Sequence, residues 1–352
     1  MAMTPVSAPT REDQADRKAA VMGELLQHPF RRAPWLRNPH LQSCWGPLCR
    51  DKTPVPFRME EWETEDDDCV CLHFYETRPD APWLLLLHGL EGSARSFYIL
   101  AYTRRFHALG WNVVTLEFRT CGGRLNRAPR AYHMGETSDL DWVLRQLRSR
   151  IGDVDLAAIG TSLGGNVLAK WLGEQGEAAA PLVQAAVVVS PPFDPARSAP
   201  KFQQALRGLY MRRFMKSLVP KALEKARQHP GICDIEALQR ARTFTEFDSV
   251  FTAPLHGFRD AEDYWTRVGC HQFLETIRVP TLLVASADDP FNHPDTLPWN
   301  AVERSPWLHA LFTQTGGHVG FVSGAPHEPR YWNEEQAERF LMAYCRLSRA
   351  QE

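Results

Sequence analysis

Long hydrophobic runs are missing from this 352-residue chain. The longest, around residues 83–87 and 185–189, fall far short of the roughly 18–20 residues that a membrane-spanning helix needs. Residues 1–27 are polar and charged, without the apolar core of an export signal, so a cytoplasmic location is expected. Charge of one sign is also lacking. Forty Lys and Arg stand against 42 Asp and Glu, a net charge of -2. That balance sets up no global field for nucleic acid, and no nucleic-acid partner is expected. Peripheral contact with lipid stays open, because residues 202–215 mix arginines with large apolar side chains. The eight cysteines (Cys44, Cys49, Cys69, Cys71, Cys121, Cys233, Cys270 and Cys345) contain no C-x-x-C pair. Without an export signal they are expected as reduced thiols, and thiolate zinc ligation has no support. No H-E-x-x-H, G-x-G-x-x-G or G-K-[ST] motif occurs, and no internal repeat. Neither a metal nor an organic cofactor is expected.

A hydrophobic fraction of 44% can fill a large core. Residues 1–54 divide into a leader, with one helical stretch over 17–26, and an aromatic- and proline-rich segment (31–50) expected to pack irregularly. His40 there is expected to be a structural hydrogen-bond partner. From 55 to 346 a single domain is expected, followed by a tail, 347–352. Val55, Phe57 and Met59 alternate, as do Cys69, Cys71, His73 and Tyr75, which implies a hairpin across the acidic turn at 65–68. Short apolar strands over 83–87, 112–117, 155–160, 182–189, 280–285 and 309–313 then alternate with helical patterns over 97–109, 135–150, 163–173 and 333–346. That alternation predicts an α/β fold: a mostly parallel sheet with helices on both faces. Residues 193–270 interrupt it with helical stretches (200–218, 221–227, 235–244) and no buried strand. They read as a helical, lid-like insertion.

The strongest local signal is Gly160-Thr161-Ser162-Leu163-Gly164-Gly165, between an apolar strand and a helix. A sharp strand-to-helix turn lifts a serine hydroxyl above the sheet, as in the nucleophile elbow of α/β-hydrolases. Serine needs a base, and the base an orienting acid. In this fold the chain order is Ser, acid, His. Asp288-Asp289-Pro290 follows a late strand, and Gly316-Gly317-His318-Val319-Gly320 follows the next. Ser162, Asp289 and His318 are therefore the expected catalytic residues. Asp288 remains the alternative acid, and one of the two aspartates is expected to hold the turn. His88, His293, His309 and His327 read as structural or surface residues. Backbone N–H groups of Leu90 and Leu163 are the expected oxyanion donors. Phe202, Leu206, Leu209 and Phe214 of the insertion are candidates for an acyl pocket. Arg119, Asn126, Arg127 and His133 can either bind a substrate anion or knit a long loop to the domain.

These motifs resemble the YheT-like hydrolases of the α/β-hydrolase superfamily. The likeness runs from Arg32 to Tyr344. It includes Asn38-Pro39-His40-Leu41-Gln42, His88-Gly89-Leu90-Glu91-Gly92-Ser93, Phe118-Arg119, Gly122-Gly123, Asn126-Arg127, Tyr132-His133, Gly135-Glu136-Thr137 and Asp139-Leu140, besides the three catalytic segments. Thr120-Cys121-Gly122 departs from the family's glycine- and serine-bearing pattern. The resemblance implies hydrolysis of carboxylic esters, with short- to medium-chain acyl groups. Amide or thioester cleavage, or acyl transfer, at the same triad is the alternative. A non-catalytic hydrolase-fold binding protein is a further one, but its usual mark, a lost triad residue, is absent.

Overall fold

Eight strands form the central sheet of the computed structural model, which describes residues 10–345. In chain order they are β1 (Arg58–Glu63), β2 (Cys69–Tyr75), β3 (Trp83–Leu87), β4 (Asn112–Glu117), β5 (Leu156–Thr161), β6 (Ala185–Val189), β7 (Thr281–Ser286) and β8 (Leu308–Thr313). Their order across the sheet is β1-β2-β4-β3-β5-β6-β7-β8. The β1–β2 and β2–β4 pairings are antiparallel and the remaining ones parallel.

Strand β3 shows why the sheet is covered twice. All five of its residues are buried, and successive side chains point to opposite faces. Leu85 and Leu87 pack with helices α4 (Ser138–Ile151) and α5 (Leu163–Gln175) through Leu140, Leu144, Val167 and Leu168. Leu84 and Leu86 share the other side with α1 (Arg11–Leu25), α3 (Phe97–Ala108) and α13 (Trp332–Tyr344) through Leu25, Phe106 and Phe340. Register aligns the strand ends. Leu87 pairs with Gly160, Thr161 with Val189, and Val189 with Val284. The loops leaving these strands therefore open together at the carboxyl edge, where open α/β sheets bind ligands.

Over that edge lies the helical insertion: α6 (Pro195–Gln204), α7 (Leu209–Gln228), α8 (Ile235–Arg240), α9 (Phe244–Phe247), α10 (Ala253–Leu255) and α11 (Ala261–Val268). It has its own apolar cluster around Met211, Met215, Leu218, Leu238 and Phe251. Among the described residues no helix is long and apolar enough to cross a membrane, and all eight thiols are free.

Several elements differ from the sequence expectation. Residues 39–49 form α2 (Pro39–Cys49) where irregular structure was expected. The side chain of Asn38 accepts from the N–H groups of His40 and Leu41, and Pro39 takes the first helical turn, where its missing N–H costs nothing. Strand β1 begins at Arg58, not Val55, since Pro54 and Pro56 cannot donate to a ladder. The expected helix over 200–218 is broken at Leu206 and Arg207, both at positive φ, and α7 then runs on through Pro220. A small hairpin, β9 (Val322–Ala325) with β10 (Glu328–Tyr331), was not anticipated. Helix α12 (Trp299–Arg304) precedes β8. Arg346, the tail 347–352 and the first nine residues of the leader lie outside the described residues.

The loop after β4 is tied down by charge. Arg119 is buried, and its guanidinium donates to Asp66 and Asp68 and pairs doubly with Asp139. Asp68 is 0% exposed and also accepts from the Asn126 side chain and the Arg127 N–H. Arg127 itself donates to the Asp67 carbonyl. Arg119, Asn126 and Arg127 thus knit the loop to the β1–β2 turn instead of facing a ligand. Burial opposes ionisation of Asp68, but the bonds from Asn126, Arg127, Cys69 and Arg119 outweigh it and lower its pKa. Asp66 is likewise lowered, whereas burial raises Asp139. Carboxyls lowered in the folded state stabilise it above their unfolded pKa of about 4, and that contribution is lost as pH falls. Arg119→Ala, which strands buried carboxylates, is expected to cost about 3–5 kcal/mol in urea unfolding at pH 7. The gap between the two proteins should narrow as pH falls below ~4, where the unfolded chains take up protons that the paired Asp66 and Asp68 of the folded parent still refuse.

Candidate active site

Ser162 sits between β5 and α5 with φ 55° and ψ -120°, a conformation that L-residues rarely adopt. Glycine on either side makes the turn feasible. A Cβ on Gly160 would lie 2.4 Å from the Gly164 carbonyl oxygen, and one on Gly164 would lie 2.5 Å from that of His88. The Ser162 N–H is held by the Val189 carbonyl at 2.8 Å.

The structure brings Ser162, His318 and Asp289 together. His318 Nε2 lies 3.0 Å from Ser162 Oγ, and His318 Nδ1 lies 2.8 Å from Asp289 Oδ2. Asp289 is 1% exposed. Its oxygens also accept from the N–H groups of Phe291 and Asn292 and from the Asn292 side chain. Asp288 does not reach the imidazole. It accepts instead from the Gly317 N–H at 2.9 Å and from the Ser286 hydroxyl. It holds the loop, while its neighbour contacts the ring. Ser43 of α2 accepts from the His318 N–H at 2.8 Å, and Ser190 accepts from the Val319 N–H at 3.2 Å.

The loop after β3 is equally fixed. Tyr98 accepts from the Gly89 N–H, Tyr132 from the Glu91 N–H, and the Gly89 carbonyl from the Gly92 N–H. Among the described residues no partner takes the Leu90 N–H. The Leu163 N–H opens α5, where no preceding turn supplies an acceptor. Both expected donors are therefore free, in loops that flank Ser162. Glu91 points elsewhere: it accepts from Tyr132 at 2.8 Å and from Lys221 of α7 at 2.5 Å. His88 is fully buried, accepts from the Phe118 N–H through Nε2 and lies 2.8 Å from the Gly89 carbonyl through Nδ1. Burial pushes its pKa down to about 4, which keeps it neutral and structural. His40 is a structural partner too, 3.3 Å from the Tyr210 hydroxyl.

Ser162 and His318 open onto a cavity of about 690 Å³ between the carboxyl edge and the insertion, within the size range of small-molecule sites. Phe202, Leu209 and Phe214 line it, together with Leu90, Phe251 and Trp265. Leu206 does not. It is 41% exposed in the left-handed turn between α6 and α7, which directs it away. Phe291 stands 4.5 Å from the His318 ring and 4.4 Å from Phe202, centroid to centroid.

His133 also faces the cavity, and with Glu136 and His256 it brings three ligand atoms within 4.8 Å of one another. The donors do not suit a cation. His133 Nδ1 accepts from the Gly135 N–H, which places the ring proton on Nε2, the atom a metal would need. The Glu136 carboxylate is engaged by Arg130 and Ser138. Burial and the neighbouring His256 lower His133 to a pKa of about 3, which keeps the ring neutral.

Sequence reasoning missed Ser43, Tyr98, Lys201 and Lys221. Lys201 of α6 donates to the carbonyls of Asp289 and Asn292, both at 2.6 Å. The contacts of Ser43, Lys201 and Lys221 join residues distant in the chain, and none of the four leaves a local signature.

Comparison with known proteins gives the family and the fold. The profile of the alpha/beta hydrolase fold family matches residues 82–325. The chain is 35% identical over 312 residues to the putative esterase YheT of Escherichia coli, covering 87% of this chain and 91% of that one. It is 27% identical to the human phospholipase ABHD3, covering 84% and 75%. The Pyrococcus furiosus esterase Pf2001 shares the fold, with a TM-score of 0.57 at 17% identity over 90% of this chain and 97% of that one.

A fluorophosphonate probe should attach to Ser162, as read by peptide mass spectrometry, and leave Ser162→Ala unlabelled. Asp289→Asn should slow labelling by roughly 10³–10⁴-fold, since the imidazole loses its orienting acceptor. Asp288→Asn, which perturbs only the loop, should slow it by about tenfold or less.

Proposed function

The chain belongs to the α/β-hydrolase fold family, among its YheT-like hydrolases, and from that premise we propose that Ser162, His318 and Asp289 are its catalytic triad. A serine-hydrolase mechanism of the esterase and lipase type comes with the family. The reading proposed here is narrower: hydrolysis of carboxylic esters with short- to medium-chain acyl groups. The observation that carries it is the hydrogen-bonded line Ser162–His318–Asp289 opening onto an apolar cavity.

His318 takes the proton of Ser162 as the hydroxyl oxygen attacks the ester carbonyl. Asp289 holds the ring with its proton on Nδ1 and stabilises the imidazolium. The Leu90 and Leu163 N–H groups receive the negative oxygen of the tetrahedral intermediate. As that intermediate collapses, His318 protonates the departing alcohol and leaves an acyl-Ser162. Water, deprotonated by His318, then releases the acid and restores the serine. Phe202, Leu209 and Phe214 supply the wall along which the acyl chain lies, and the insertion (193–270) serves as its lid. A putative esterase and a phospholipase among the relatives support an acyl ester.

The test is hydrolysis of p-nitrophenyl esters from acetate to palmitate, with Ser162→Ala alongside. The natural sequence should show its highest kcat/KM on short to medium chains, and Ser162→Ala should fall to background, a loss of at least roughly 10³-fold. Phe214→Trp, which narrows the cavity, should shift the optimum to shorter chains. Equal rates for Ser162→Ala and the parent on every ester would remove the reading.

A further inference from the structure

We propose that the rim of the cavity, built from α2 and α7, docks onto an anionic lipid surface. Leu48 is 77% and Leu209 55% exposed, yet both line the cavity, so they mark its mouth. The two helices meet across it, where the Tyr210 hydroxyl lies 3.3 Å from His40 Nδ1 and 3.4 Å from Cys44 Sγ. Leu41 stands two helical turns before Leu48, on the same stripe of α2, and is 55% exposed. Leu206, in the turn that leads into α7, is exposed as well. Two exposed leucines thus stand at the opening, and two more are exposed outside it on α2 and in the turn into α7, where isolated exposed leucines would need no explanation.

Charge identifies the occupant. Between residues 195 and 223 the chain carries seven basic residues (Arg197, Lys201, Arg207, Arg212, Arg213, Lys216 and Lys221) and no acidic one. The segment bearing α2, from Arg31 to Arg50, also lacks any Asp or Glu. The whole chain is slightly acidic at -2, so this run of cations departs from the rest. Arg197, Lys201 and Lys221 are engaged by Asp295, by two carbonyls and by Glu91 respectively. Arg207, Arg212, Arg213 and Lys216 are exposed, and among the described residues none of them forms an ion pair. Leu209, Arg212, Arg213 and Lys216 fall on one stripe of α7, at helical spacings of three, four and seven. Leucines that enter the acyl boundary beside cations that meet headgroup phosphates are the pattern of an interfacial helix. A protein partner seated on this rim would close the cavity, whereas a lipid layer leaves its mouth facing acyl chains. The ester-hydrolase reading gives this placement its use but is not needed for the docking itself.

The test is flotation of full-length Ser162→Ala, which cannot degrade the lipid, with phosphatidylcholine vesicles with and without phosphatidylglycerol. Binding should be at least about tenfold stronger to the anionic vesicles and should weaken as salt shortens the Debye length. Leu41→Asp with Leu206→Asp, and separately Arg207→Glu with Arg212→Glu and Lys216→Glu, should each reduce binding by about tenfold or more. None of these five side chains lines the cavity. In the Ser162 background both sets should therefore retain p-nitrophenyl acetate hydrolysis and an unchanged melting temperature. Absence of vesicle binding, or binding that survives both sets, overturns the proposal. Absence of vesicle binding together with a dimer that the leucine variant splits, seen by sedimentation, would instead assign the face to a second copy of the chain. Loss of acetate hydrolysis in the parent would count against the ester reading and leave the flotation result standing.

Discussion

The left-handed backbone of Ser162 is the constraint from which the rest of the site follows. A serine at φ 55° is strained, and the surrounding structure must hold it there. Strand β5 supplies rigidity from the middle of the sheet, paired on one side with β3 and on the other with β6. The Val189 carbonyl fixes the Ser162 N–H. The space that the turn needs is won by glycine at 160 and 164, where a methyl group would meet backbone oxygen. Register does the remainder, because strands that end level deliver their loops to one place.

Holding the hydroxyl is only half the geometry; the imidazole must be held against it. That task falls to groups from the whole length of the chain. Asp288 and Ser286 fix the glycine loop from β7, Ser43 reaches it from α2, and Ser190 from the end of β6. Four hydrogen bonds fix the backbone that carries His318, and its ring bonds Asp289 on one side and Ser162 on the other. Ser190 and Ser286 among these supports are buried, and sites of this kind lose function when such supports loosen.

How much of this was legible in the sequence depended on how local each signal was. Strands β3 and β4 were readable to the residue, since a wholly apolar run bounded by turn residues has few alternatives. The elbow was readable because glycine, serine and glycine stood between strand and helix. His318 and the adjacent aspartates followed from chain order and their glycine and proline neighbours. What failed lacked such a signature or carried a competing one. Asn38-Pro39 is a helix-start signal, but the prolines and aromatics around it suggested irregular packing. Leu206 had the right character for the pocket, and only the turn at residues 206–208 turns it outward. Arg119 could be read as a substrate anchor until three carboxylates were found around it. Ser43, Tyr98 and Lys201 act through contacts that exist only after the chain has folded.

The bonds from Lys201 bear on how the molecule works in time. Its ammonium, carried by α6, donates to two carbonyls of the turn that presents Asp289. The wall of the cavity and the acid of the site are thereby fastened to each other. A displacement of α6 that broke both bonds would leave the turn carrying Asp289 without this brace. The roof of the chamber and the floor that carries Asp289 are to that extent one piece, and neither can be set without the other.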